Sequence, residues 1–298
     1  MIGTENSRRL CEQVASATGG VCFLGFSRGK DSIAAWLWLR TFFDRIIPFH
    51  LDAVPGLSFV ERSLAYYESW FGVSIQRFVS GGLLRAIERM IYQLPGAENE
   101  IDSSGLVEYD THDVVRFLRR EMNLPRAWCA FGINASDSID RRIYVNKYQG
   151  RIESHRSFYP CFDWPKKQIL EMVRKVGVKL PEDYLLNNRT FAGTPEYRYV
   201  AKMKELFPAD YERVRLTFPL VDAVFARQAF KTMRLSGTEN IPGIPLTGID
   251  STGDTLPKTH AKKSGAKSQP AEAASPGRKG RQSKTSTTAT ETPVGSSR

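Results

Sequence analysis

The sequence predicts an α/β fold: a parallel, Rossmann-like sheet with helices on both faces. Three observations predict it. Strand-like and helix-like segments alternate over residues 5–132. The first apolar run, VCFLGF at 21–26, is β-rich and has no polar position, as a strand buried on both faces requires. A short Ser/Gly turn then joins that run directly to a segment of helical length. Alternation of this kind lets each helix cross between parallel strands and cover one face of the sheet.

The elements follow in order. A polar helix over residues 5–18 leads into the strand at 21–26. After the turn, DSIAAWLWLRTFF (31–43) reads as a helix whose first turn carries Asp31 and Ser32, residues suited to that position. RIIPFHLD (45–52) reads as a second strand, SFVERSLAYYESWFG (58–72) as a helix ending at Gly72, and VSIQRFV (73–79) as a third strand. A helix at 82–93, a Pro/Gly/acidic insertion at 95–110, a helix at 111–122 and a strand at 127–132 complete the series. Further on, Asp163, Trp164 and Pro165 open a helix with Ile169, Leu170, Val173 and Val176 at helical spacing. Trp36 and Trp38 are expected in the core, and His50 and His112 are read as structural.

At 298 residues, with 41% hydrophobic and 11% aromatic content, the chain can bury a substantial core. Its formal charge is +10, of which +6 falls in residues 251–298. No aromatic residue follows position 236, and Gly, Pro, Ser, Thr, Ala and Lys dominate there. Such composition cannot offset chain entropy by burial. Two domains of unlike kind are therefore expected: a folded body with C-terminal helices at 1–235 and a disordered basic tail at 236–298. The tail's basic clusters suit a salt-sensitive contact with nucleic acid, or simply solubility. The longest early apolar run is too short to span a bilayer and the start MIGTENSRRL is polar, so a cytoplasmic protein without membrane contact is expected. Cys11, Cys22, Cys129 and Cys161 lie far apart without metal-ligand spacing, so no metal site or iron–sulfur cluster is expected.

The segment SRGKDS (27–32) lies between a buried strand and the helix it opens. Gly29 permits a tight turn, the free amides of a helix N-terminus carry partial positive charge, and Ser27, Arg28, Lys30 and Ser32 add donors. Such a loop suits a phosphate or pyrophosphate. The spacings of a Walker loop and of a dinucleotide fingerprint are both absent.

SRGKDS resembles the SGGxDS loop of the adenine nucleotide alpha hydrolases, the PP-loop ATP pyrophosphatases, with Arg28 at the usual second glycine. Within that superfamily the chain resembles the phosphoadenosine phosphosulfate (PAPS) reductase family. HLDAVPG (50–56) is similar to its LDTG segment, GINASDSIDRR (132–142) to its glycine, acidic-Ser and arginine segment, and YPCFDWPKKQILEMVRKVGVKLPEDY (159–184) to its Pro, Asp-Trp and late-Pro segment. The resemblance covers residues 20–190. It implies ATP or PAPS as substrate and Mg²⁺ at the phosphates. It also implies that Ser27, Arg28, Gly29, Lys30, Asp31, Ser32, Asp52, Gly132, Ser138 and Arg142 bind nucleotide, with Lys30 and Arg141 as catalytic candidates.

Asp52 reads either as a contact to ribose or phosphate or as a turn cap. The charges at 137–142, and Arg151, His155 and Arg156, read as anion contacts or as solvated surface. The family's sulfur nucleophile is a late cysteine, and none follows Cys161 here. Three functions therefore stand open: α–β cleavage of ATP for adenylyl transfer in sulfur or nucleic-acid modification; a sulfonucleotide reductase with an unexpected or partner-supplied thiol; and a non-catalytic nucleotide-binding subunit tethered to nucleic acid by the tail. A protein partner would supply the acceptor or thiol.

Overall fold

The structure is a computed structural model that describes residues 3–236 apart from 106, 137 and 194. The expected tail at 236–298 therefore lies, but for Ser236, outside the described residues.

The chain runs α1 (Glu5–Thr18), β1 (Val21–Gly25), α2 (Lys30–Leu39), β2 (Arg45–Asp52), α3 (Ser58–Phe71), β3 (Gln76–Val79), α4 (Gly81–Glu88), α5 (Glu98–Ser103), α6 (Thr111–Glu121), β4 (Trp128–Phe131) and α7 (Ile139–Lys147). It continues through β5 (Arg151–Ile152), a 3₁₀ turn (Glu153–His155), β6 (Ser157–Phe158), α8 (Lys166–Val176), α9 (Tyr184–Asn187), α10 (Tyr197–Leu206), α11 (Pro208–Thr217) and α12 (Ala223–Ser236). The sheet order is β3-β2-β1-β4-β6-β5, parallel except for the β5–β6 pair.

Strand alternation divides the core. Cys22, Leu24 and Ile46 join one layer with α1, α2, α3 and α8, while Phe23, Ile47, Phe49 and Cys129 face Val114, Val115 and Leu118 of α6. Both faces are covered, which is why β1 could have no polar position. Trp36 stacks on Phe71 with centroids 3.7 Å apart, and Trp38 meets Trp164 edge-on at 5.2 Å, so α2 is locked to α3 and to the turn that opens α8.

Several boundaries move from the expectation. Helix α2 begins at Lys30 and ends at Leu39, followed by a turn. Strand β3 begins only at Gln76, and α4 stops at Glu88, after which Met90 and Tyr92 take left-handed backbone. Helix α5 lies inside the segment read as an insertion. Strands β5 and β6 have two residues each, too few for an alternating pattern to register.

Candidate functional site

The chain leaves β1, crosses outward through β2 and β3, and returns to the other side of β1 as β4. The carboxyl ends of β1 and β4 therefore flank the point at which the strand order reverses, where open α/β sheets bind ligands. A cleft of about 250 Å³ opens there, lined by residues that include Gly25, Phe26 and Ser27 after β1, His50 and Leu51 of β2, Phe131 of β4, and Thr190 and Phe191. Gly25 has a packing reason: a Cβ there would lie 2.6 Å from the Phe131 ring.

At the cleft's edge the loop 27–32 enters α2. The Ser27 hydroxyl donates to Ser32 Oγ at 3.2 Å, and the Ser32 hydroxyl to the Gly29 carbonyl at 2.9 Å. The Gly29 amide reaches Ser27 Oγ at 3.4 Å, and the Lys30 amide donates to the Tyr184 phenol at 3.0 Å. Lys30 Nζ pairs with Asp31 Oδ2 at 2.6 Å. The loop is ordered by its own hydroxyls and by Tyr184.

Arg28 departs from the expectation that it contacts ligand. Its backbone is left-handed, with φ of 66°, and its side chain is 2% exposed. Its Nη2 pairs at 3.0 Å with Asp183, which is fully buried. The same carboxylate oxygen accepts the Phe191 amide at 2.8 Å. Arg28 Nε and Nη1 and Asp183 Oδ1 have no partner among the described residues. Arg28 thus ties the loop to the strap 183–193, whose Thr190 and Phe191 line the cleft. At the strap's far end, a Cβ on Gly193 would lie 2.9 Å from Ala53 Cβ.

Gly132 reaches the loop, but as a packing residue. A Cβ there would sit 2.5 Å from Ser32 N and 2.7 Å from Asp31 C, so only glycine lets the turn after β4 approach the start of α2. Asp52 is buried at the end of β2 and chelates Arg77 at 3.0–3.2 Å, which also holds Glu61. Desolvation pushes the Asp52 carboxyl up despite that arginine. His50 lines the cleft, pairs through Nδ1 with the Phe26 carbonyl at 2.7 Å, and burial drives its pKa down to about 3. Its ring is therefore neutral, with Nδ1 donating.

Ser138 caps α7, its Oγ accepting from the Arg141 amide at 3.1 Å. Arg141 and Arg142 are exposed on α7, whose one buried residue is Val145. Arg141 and Arg142 are not among the residues lining the cleft, and Asp137 lies outside the described residues. His112 and His155 stack at 4.1 Å, and Arg156 donates to the Pro125 carbonyl at 2.5 Å. All four cysteines are buried and burial pushes each thiol up, including Cys161, for which the nearby acidic side chains add to the effect. Among the described residues no group of three or more His, Cys, Asp or Glu could hold a metal ion, and no helix is long and apolar enough to cross a membrane.

The sequence reading missed Asp183, Tyr184, Thr190 and Phe191. PEDY closes the late-Pro segment, yet nothing in its spacing says that it folds onto residue 28.

No family model and no curated protein matches the chain. Among solved structures it is similar to the U34-tRNA thiolase NcsA from Methanococcus maripaludis with its 4Fe–4S cluster, at 12% identity and a TM-score of 0.39, covering 72% of this chain and 79% of that one. It is also similar to the NH3-dependent NAD synthetase from Campylobacter jejuni, at 12% identity and a TM-score of 0.37, covering 80% and 97%. Likeness at this level carries no weight for the site, and the α/β architecture is read from the sheet itself. The cofactor expectation is nevertheless corrected on one point. The 4Fe–4S cluster is named for the thiolase, and the expectation that no such cluster is present here is set aside rather than upheld.

Proposed function

We propose that the protein binds an adenine nucleotide, with the phosphates on loop 27–32 and the base in the adjoining cleft, and uses ATP for adenylyl transfer. One observation carries the reading: a Ser/Gly/Lys loop opens α2 beside an aromatic-lined cleft at the point where the strand order reverses. The cleft, at about 250 Å³, lies just under the roughly 300–1,000 Å³ of drug-sized ligand sites, a size that favours one nucleoside over a dinucleotide.

In the reaction an acceptor's lone pair would form a bond to the α-phosphorus while the bond to the bridging oxygen breaks, and pyrophosphate would leave with that electron pair. First-turn amides of α2, and the Lys30 ammonium once it exchanges Asp31 for the ligand, would stabilise the charge that grows on the leaving group. The narrower PAPS reductase reading rests on the sequence segments alone. It is opposed by the four buried thiols, because a sulfur nucleophile needs an exposed, electropositive setting.

Calorimetry with ATP tests the proposal. Ser27→Ala/Lys30→Ala should weaken binding by about tenfold or more, since it removes a charge-assisted contact, whereas His112→Ala should leave it unchanged. Equal affinity in the double variant and the wild type would sink the assignment. Release of pyrophosphate from labelled ATP separates an enzyme from a binding subunit.

A further inference from the structure

We propose that Tyr184 determines which ligands the loop accepts: its phenol oxygen holds the position on the Lys30 amide that a phosphate oxygen takes in a complex, so only a ligand with an anionic oxygen there displaces it. The inference rests on the nucleotide-binding reading of the loop.

Lys30 is the first residue of α2, and its amide has no acceptor within the helix. Tyr184 Oη fills that place at 3.0 Å, although the two residues are 154 positions apart. The phenol also lies over the turn. A Cβ built on Gly29 would be 3.7 Å from Tyr184 Oη, 3.7 Å from Thr190 Oγ1 and 3.4 Å from Ser27 Oγ, and the last two residues line the cleft. Tyr184 is not free to wander, because Asp183 beside it is tied to both Arg28 and the Phe191 amide.

The phenol is a neutral acceptor, and burial keeps it protonated by pushing its pKa up. A hydrogen bond to an ionised oxygen is roughly twice as strong as one to a neutral oxygen. A phosphate therefore wins the exchange at the Lys30 amide, while an uncharged nucleoside has nothing to exchange. The need to displace Tyr184 reduces the apparent affinity of every ligand that uses this amide. Removing the phenol oxygen removes that competitor.

Calorimetry on the full chain with pyrophosphate, ATP and adenosine tests this. Tyr184→Phe should bind pyrophosphate and ATP about three- to tenfold more tightly, the worth of one neutral hydrogen bond, and adenosine no differently. Unchanged or weaker ATP binding overturns the inference, and so does an equal gain for adenosine, which would mean that the substitution merely widens the cleft. If the wild type binds neither ATP nor pyrophosphate, the loop reading falls and this inference with it. Should Tyr184→Phe fail to fold, fluorotyrosine placed at 184 keeps the hydroxyl, and its ¹⁹F resonance should move with pyrophosphate and not with adenosine. A resonance unmoved at saturating pyrophosphate overturns the inference.

Discussion

Loop 27–32 and segment 138–142 look alike in sequence, each combining serine, an acidic residue and arginine near a glycine, yet the fold treats them oppositely. The arginine of the first is 2% exposed and paired with a buried carboxylate. Those of the second lie on a helix with one buried residue, and its Ile139 is 72% exposed. The difference teaches that anion-site composition acquires meaning from what the rest of the chain lays over it. At the first segment the strap 183–193 is laid over the loop. The second carries a serine cap on an exposed helix.

The sharpest way to break the contrast is Asp183→Ala. It leaves the Arg28 guanidinium buried without its charge partner, which costs about 3–5 kcal/mol, and urea unfolding should record a loss of that size. A loss near zero would mean that the pair does not hold the strap. Next comes Gly132→Ala, which drives a methyl into the Ser32 backbone. Overpacking of this kind costs about 1–3 kcal/mol, and ATP affinity should fall with it. Stability and binding both intact would dissolve the link between the turn after β4 and the loop.

Acid should act on the loop side as well. His50 has its folded pKa lowered to about 3 from 6.5. Between those values the unfolded chain binds the extra proton, so this residue's contribution is complete above pH 6.5 and is lost as pH falls toward 3, at up to about 1.4 kcal/mol per pH unit. His50→Gln should flatten that part of the urea-midpoint profile relative to wild type, and parallel profiles would remove His50 from the account. The smallest effect belongs to α7. Arg142→Ala should change stability by less than about 0.5 kcal/mol and ATP affinity little, and a tenfold loss of affinity would erase the contrast between the two segments.

Much of the body was legible in the sequence because its signals are local. The strand at 45–52 and the helix at 5–18 have the expected bounds, set by an apolar run in one case and by capping residues in the other. The turn at 27–32 was legible for the same reason. What lay hidden depends on distant contacts. Nothing near Arg28 announces that Asp183 will bury it, and nothing near Gly132 announces the Ser32 backbone. Asp52 reads in the sequence as a ligand contact or a turn cap, and nothing local announces its partner Arg77, 25 positions away on the neighbouring strand.

The Arg28–Asp183 bond joins positions 155 residues apart, which bears on the order in which the protein matures. During synthesis the strands at 21–25 and 45–52 leave the ribosome well before residue 183. Closing so long a stretch carries an entropy cost that short-range contacts do not meet. A nascent chain ending before 183 can pair its first strands, but its loop has neither the carboxylate nor the phenol that shape it. The shape of the loop is therefore acquired late, as a property of the finished body.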